Sequence, residues 1–526
     1  MMERRLGFIV CCVVLAQGCA DRGTRLASKD TPAPFEQVLR QEVSFQIPEP
    51  ETVWGVGIVA NLPGTGSGVC PPQVRSKLRR MMSSSYTEGI DLEAFIRSPN
   101  TAVVTVEGQI PGSAIKSDSF DIQVKAYDNS GRCSLAGGWL YRTDLALTSN
   151  ASNTMLQAVA TAEGALFKPI EQRQTRPSHT GYVLGGGRVV AETATHLILN
   201  EPGFKQASLV RNMINARFGM GTARAVSPGQ VDVRVPAQYR QDRWRFWAVV
   251  EALPMADTQE ALDRRLEALI QQLVSRQDVD DAEISLEAMG QSCVPLLTPH
   301  LHRDPEVSLA AARCLSNLGG SSGLSTLAQI AENPQSPLRV QAMHALKSMT
   351  KAPQISQFVA RLLGDADFQF AMDVYESLSM KDGVGAERET VAGAFTLDII
   401  AQSRTQAVIA TRSGGAHVAL FGSPIRLKPG QIIEFSQKKI KVDSRSDTTF
   451  VLISRSSASQ SKARAPVQCS YQLRDIIHVL CKKRGLGGDD EGFGLSYDEL
   501  LGFIGQLADQ GMIPASFWAG PLLDLP

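Results

Sequence analysis

Three groups of residues in this chain have the types and spacing to do chemistry: Gly55-x-Gly57-x-x-Ala60, His300-x-His302 downstream of Cys293, and the basic run Arg75, Lys77, Arg79 and Arg80. The first has the spacing of a dinucleotide fingerprint, in which glycines let a helix N-terminus approach a pyrophosphate. That chemistry needs a helix opening at the glycines. Asn61-Leu-Pro63-Gly64 follows at once, and a helix begun at Gly57 would carry Pro63 in its interior at a cost of about 3 kcal/mol. The pattern instead predicts an apolar strand through Val56, Ile58 and Val59 and a tight turn at Pro63-Gly64-Thr65-Gly66. His300, His302 and Cys293 have metal-ligand composition. However, Pro299 and Asp304-Pro305 put the histidines in a turn between helices, and a metal site needs three or four converging ligands. No P-loop or His-Glu-x-x-His motif occurs. The expectation is a protein that is not an enzyme, with no catalytic residues, no cofactor and no metal. The basic run falls on one predicted helix, either as a solvated face or as a contact with a subunit or an acidic surface.

The elements that would position these residues form several blocks. The chain has 526 residues, 43% hydrophobic and 20% charged, which suits two to four globular domains. Lys plus Arg and Asp plus Glu are equal at 53 each, so no overall pull toward nucleic acid follows. Arg4 and Arg5 precede a short apolar run, Leu6 to Ala16, which reads as a signal peptide over 1–18. Two cuts fit. Ala16-x-Gly18 suits an ordinary signal peptidase, and Leu15-Ala-Gln-Gly-Cys19 resembles a bacterial lipobox that would leave Cys19 lipidated. The position of the cysteine favours lipidation, and acyl chains there would anchor the protein on a membrane, with the outer membrane as one destination. Residues 19–50 read as a tether. In an oxidising compartment the later cysteines have access to disulfides, although Cys293 and Cys314 fall in apolar helical stretches that favour buried thiols.

Residues 51–255 read as mixed α+β, with strands at Thr101–Val106, Phe120–Ala126 and Val231–Val235, and loops that include Gly185-Gly-Gly187. A helix is predicted over 204–218, with Leu209, Met213, Ile214 and Phe218 on one side and Gly219 and Gly221 stopping it. Residues 258–380 read as helical and repetitive. Asp304-Pro to Leu315 and Ser336-Pro to Leu346 share a polar-Pro start, and Ala311 and Leu315 map onto Ala342 and Leu346. Such self-similarity predicts a short α-solenoid resembling HEAT repeats, offering an extended face to a partner. A β-rich domain at 393–455, a linker at 456–468 and a helical tail at 469–526 follow, with Ser496 and Glu499 forming a capping box. The expected fold class is α+β.

With these blocks in place, the chain resembles the bacterial flagellar P-ring protein family. The resemblance rests on Gly55–Gly66 with the helix at 73–82, on Leu197-Ile-Leu-Asn-Glu-Pro-Gly-Phe204, Ile214-Asn-Ala-Arg-Phe-Gly219 and Val250-Glu-Ala-Leu-Pro254, and on the tail at 475–480 and 497–511. It implies a structural subunit that self-assembles into a periplasmic ring around the flagellar distal rod, next to the L-ring protein and with peptidoglycan as a further contact. Gly64, Gly66, Arg75, Arg79 and Arg80 are then the subunit-interface candidates. The solenoid is an insert in this scheme, expected to sit outward. The alternative is an envelope lipoprotein scaffold that uses the solenoid to bind a partner, unrelated to motility.

Overall fold

The computed structural model describes residues 37–520, apart from 47–48, 86–90, 113, 129, 149–157, 169–178, 192–194, 241, 256–257, 350–351, 353, 436–437, 446, 448, 456–465 and 483–491. The predicted signal peptide, Cys19 and positions 456–465 of the expected linker lie outside the described residues. The fold class is α+β.

The first strand, β1 (Val43–Gln46), pairs antiparallel with β8 (Thr195–Leu199). Between them the chain makes β2 (Glu51–Ala60), α1 (Pro72–Ser85), α2 (Leu92–Arg97), β3 (Ala102–Ile110), β4 (Ser119–Ala126), β5 (Trp139–Leu147), β6 (Ala160–Ala165) and β7 (Thr180–Val189). Strands β2 to β7 close into a barrel in the order β2-β3-β4-β7-β6-β5. Alternation explains the closure: β4 buries every second residue, Phe120, Ile122, Val124 and Ala126, facing the barrel core. Helices α1 and α2 cover one outer wall, where Val56, Ile58 and Val103 meet Leu78 and Ile96.

After β8 come α3 (Phe204–Phe218), β9 (Ala223–Ser227), β10 (Gln230–Val233) and α4 (Arg243–Glu251). The sheet order is β1-β8-β10-β9, and both helices share its core. The barrel is thus inserted into a small α/β unit. Residues 38–46, expected in the tether, belong to this unit: Val38 bridges Pro254 and Leu39 is fully buried. Helix α3 has the predicted bounds but a different inner face. Ala207, Val210 and Ile214 are buried, at i, i+3 and i+7, whereas Leu209 is 40% exposed. Gly219 and Gly221 stop the helix with φ of 105° and 86°.

Helices follow from 259 to 374: α5 (Gln259–Ser275), α6 (Val279–Met289), α7 (Val294–Leu297), α8 (Pro305–Asn317), α9 (Ser321–Glu332), α10 (Arg339–Ala345), α11 (Ile355–Leu363) and α12 (Phe368–Val374). Ala311, Leu315, Ala342 and Leu346 are all fully buried in one core.

The last part contains β11 (Glu387–Val391), β12 (Phe395–Ile400), β13 (Ala407–Ala410), β14 (His417–Phe421), β15 (Ile432–Phe435), β16 (Ile440–Asp443), β17 (Val451–Arg455), β18 (Val467–Cys469), α13 (Leu473–Cys481), α14 (Tyr497–Asp509) and β19 (Ser516–Ala519). Two sheets form, β11-β12-β14-β13-β19 and β15-β16-β17-β18. The segments read separately as a β domain and a helical tail share one core: Leu397 and Val442 pack with Ile476, Leu500 and Phe503. Chain order hid this, because β19 comes from the end of the described chain yet pairs with β13. The predicted capping box of Ser496 and Glu499 is present.

Candidate assembly surfaces and joints

The glycine motif lies inside β2, and its glycines serve close packing. A Cβ on Gly55 would lie 2.5 Å from Asp144 O, and one on Gly57 would lie 2.3 Å from Thr143 Oγ1, both on β5. The turn behind the strand is held to the loop before β3. Gly64 N donates to Asn100 Oδ1 at 3.1 Å, and Gly66 N donates to Pro99 O at 2.7 Å. Gly64 is exposed with φ of 75°, a conformation that favours glycine. Gly66 packs inward, since a Cβ there would meet Thr101 O at 2.1 Å. The Gly185-Gly-Gly187 loop expectation is corrected: these residues lie in β7. The β4–β7 register shifts between Phe120 and Ile122, and a Cβ on Gly187 would press on the Phe120 ring at 2.7 Å.

The basic residues do lie on one helix, α1. Arg79 and Arg80 are exposed, Lys77 Nζ stands 5.3 Å from the centre of the Trp54 ring, and Arg75 lies 3.7 Å from Glu93. His300 closes a short 3-10 turn and His302 is exposed. Among the described residues no group of three or more His, Cys, Asp or Glu could hold a metal ion. The six described cysteines, Cys70, Cys133, Cys293, Cys314, Cys469 and Cys481, are free thiols. Burial raises the Cys469 thiol to about 11.

Sequence reasoning missed the joints between parts. At the first, Arg245 of α4 is buried against Glu283 and Glu287 of α6, both 0% exposed. Arg245 Nε donates to Glu287 Oε2 at 2.7 Å, Tyr239 Oη donates to Glu287 Oε1 at 2.7 Å, and Asn317 Nδ2 donates to Glu287 Oε2 at 3.0 Å. Arg313 of α8 donates to Glu283 Oε1 at 2.6 Å, and Arg217 of α3 donates to the Glu287 carbonyl at 2.7 and 3.0 Å. Burial pushes the Tyr239 hydroxyl well above its usual range, and the Glu287 charge adds to this. Such a cluster tolerates burial because each charge is paired and hydrogen-bonded. The only signal for it in the sequence was Glu283 and Glu287 at i and i+4 on an otherwise apolar helix face.

At the second joint, Asp398 of β12 is fully buried. Tyr375 Oη donates to it at 2.8 Å, Arg388 donates two bonds at 2.7 and 2.9 Å, and His417 Nδ1 lies 3.8 Å away. Burial opposes its ionisation, but His417 beside it and the hydrogen bonds from Arg388 and Tyr375 outweigh this and hold the carboxyl below its usual range. Ile400, Ala407 and Phe421 of the sheet complete the helical core here. The third joint returns to the barrel. Asp121 of β4 accepts from Gly185 N at 2.5 Å and Gly414 N at 2.8 Å, while Phe167 and Tyr497 stack with centroids 5.9 Å apart. The helical segment is therefore packed at both ends.

A barrel nested in an α/β unit, joined to a helical segment that is itself clamped to a two-sheet unit, defines a protein organised around packing faces. Residues 39–265, which hold the barrel and the α/β unit, match the family model described as flagellar P-ring protein. The chain is similar to the flagellar P-ring protein of Thermotoga maritima, 28% identical over 209 residues, covering 38% of this chain and 61% of the relative. It is also similar to flagellar P-ring protein 1 of Hahella chejuensis, 30% identical over 201 residues (35% and 52%), and to the flagellar P-ring protein of Anaeromyxobacter dehalogenans, 30% identical over 219 residues (40% and 57%). The chain thus spans between about half and three fifths of the length of the curated relatives it matches.

Proposed function

We propose that the chain is a structural subunit of the flagellar basal-body P-ring, self-assembling around the distal rod in the periplasm as a bushing for motility. The observation that carries this reading is the family match over 39–265, which covers the barrel and the α/β unit as one continuous region. The mechanism is assembly. A closed ring needs a head-to-tail interface joining two different faces of the same chain. The rod, the L-ring protein and peptidoglycan are the surfaces such a ring would touch, and a lipid on Cys19 would tie it to the outer membrane. Gly64 at the exposed turn and Arg79 and Arg80, exposed on α1, are contact candidates; Gly66 packs inward and Arg75 lies beside Glu93.

A strain lacking this chain tests the reading. The expected result is loss of the periplasmic ring from isolated basal bodies and loss of swimming, both restored by the chain in trans. A swimming mutant with intact basal bodies would support the envelope-scaffold alternative instead.

A further inference from the structure

Two of the described thiols meet inside the helical core. Cys293 closes the 3-10 turn Gly290–Cys293 that follows α6, and Cys314 lies in α8. Both are fully buried. Cys293 Sγ donates to the Gly290 carbonyl at 3.1 Å, and the Cys314 thiol is in hydrogen-bond contact with Cys293. The first joint fixes this approach from both sides of Cys314. Arg313, one residue before it, bonds Glu283 of α6, and Asn317, three residues after it, bonds Glu287.

The compartment decides what such a contact becomes. Where thiols are kept reduced, a buried cysteine is simply a small apolar residue. The periplasm oxidises thiols, and disulfides formed there persist.

We infer that Cys293 and Cys314 form a disulfide in the exported chain, tying α8 covalently to the turn after α6 beside the first joint. This rests on the ring reading above, which supplies the oxidising compartment. The oxidant is a protein or small-molecule disulfide. One cysteine attacks it as the thiolate, and the second cysteine then displaces it from the mixed disulfide. One Sγ–Sγ bond forms, two S–H bonds are lost, and the two electrons and two protons reduce the oxidant to two thiols. Burial sets the timing. The thiolate is the reactive form. In the folded chain the hydrogen bond to Cys293, burial and the nearby Glu287 and Glu283 charges all push the Cys314 thiol well above its usual range. Oxidation therefore belongs to the folding chain, before α8 closes on α6.

Peptide mapping of the full-length chain tests it. Chain recovered from the envelope of producing cells is quenched in acid, and its thiols are blocked with N-ethylmaleimide under denaturing conditions before any reductant is added. Cleavage by trypsin at Arg276, Arg303, Arg313 and Arg339 places the two cysteines on peptides 277–303 and 314–339. The expected result is one species joining these peptides, two hydrogens lighter than their sum and split by reductant. Reductant should also shorten survival of the folded chain under protease by at least about tenfold, and Cys293→Ala/Cys314→Ala should abolish that dependence. Maleimide on both peptides from exported chain, or a link from either cysteine to a different one, would overturn the disulfide and leave the ring reading standing. Equal survival of the native chain with and without reductant would overturn its part as a tie. Chain found only in the cytoplasm would overturn the ring reading, and the disulfide with it.

Discussion

At the scale of residues, Glu287 holds Arg245, Tyr239 and Asn317 together in one buried cluster. Its removal would leave Arg245 charged, buried and short of a partner. Breaking such a pair costs about 3–5 kcal/mol. Glu287→Ala is expected to destabilise by that amount in denaturant unfolding, whereas joint replacement of Arg245, Glu283 and Glu287 by apolar residues of similar volume should cost much less. A second residue-scale effect concerns pH. Burial pushes the carboxyl of Asp498, at the start of α14, up to about 6. A carboxyl raised in the folded state favours the protonated form, so its contribution is present below the unfolded value near 4 and is lost as pH rises through about 6. Asp498→Asn should therefore raise the melting temperature at pH 8 and leave it unchanged at pH 4. A loss of stability at pH 8 would show that the charge is used.

At the scale of elements, the helical segment is an integral part of the fold. Its α6 supplies the counter-charges for Arg245, and its core is closed by Ile400, Ala407 and Phe421 from the following sheet. Deletion of 258–380 should therefore give insoluble or unfolded chain rather than a trimmed ring subunit, and its soluble yield and far-ultraviolet circular dichroism would show this. Sequence alone made some elements legible and others not. Helix α3 announced itself through Gly203 before it and Gly219 after it, and the strand at 51–60 through Pro63, which forbids a helix there. The burial of Ala311, Leu315, Ala342 and Leu346 in one core was readable from the repeated Ala/Leu spacing. The barrel was not, because closure depends on which strands become neighbours, and β2 pairs with β5 across some 80 residues. Gly185 to Gly187 looked like a loop because glycine usually punctuates. In β7, Gly187 makes room for the Phe120 ring and Gly186 for Val183. The inner face of α3 was misjudged because large apolar residues were counted as core, while small Ala207 faces inward and Leu209 faces out. The first and third joints were invisible because they pair residues far apart in sequence, as Arg245 with Glu283 and Asp121 with Gly414.

At the scale of the whole molecule, the three joints link the α/β unit, the helical segment, the two-sheet unit and the barrel in a closed circuit of contacts. In the proposed ring, a chain braced in this way would present fixed faces to its neighbours, as head-to-tail closure demands. Charge reversal at Arg79 and Arg80, which stand exposed on α1, is expected to impair ring assembly more than monomer folding. Unchanged rings in that variant would remove those residues from the interface. The central claim is that this chain builds the periplasmic ring around the distal rod, and electron cryo-microscopy of basal bodies isolated from cells producing it tests that most directly. The account predicts a closed ring whose repeating density accommodates the barrel, the α/β unit and the helical segment as one body. A periplasmic ring with no density for the helical segment, from cells that retain the intact chain elsewhere in the envelope, would contradict it.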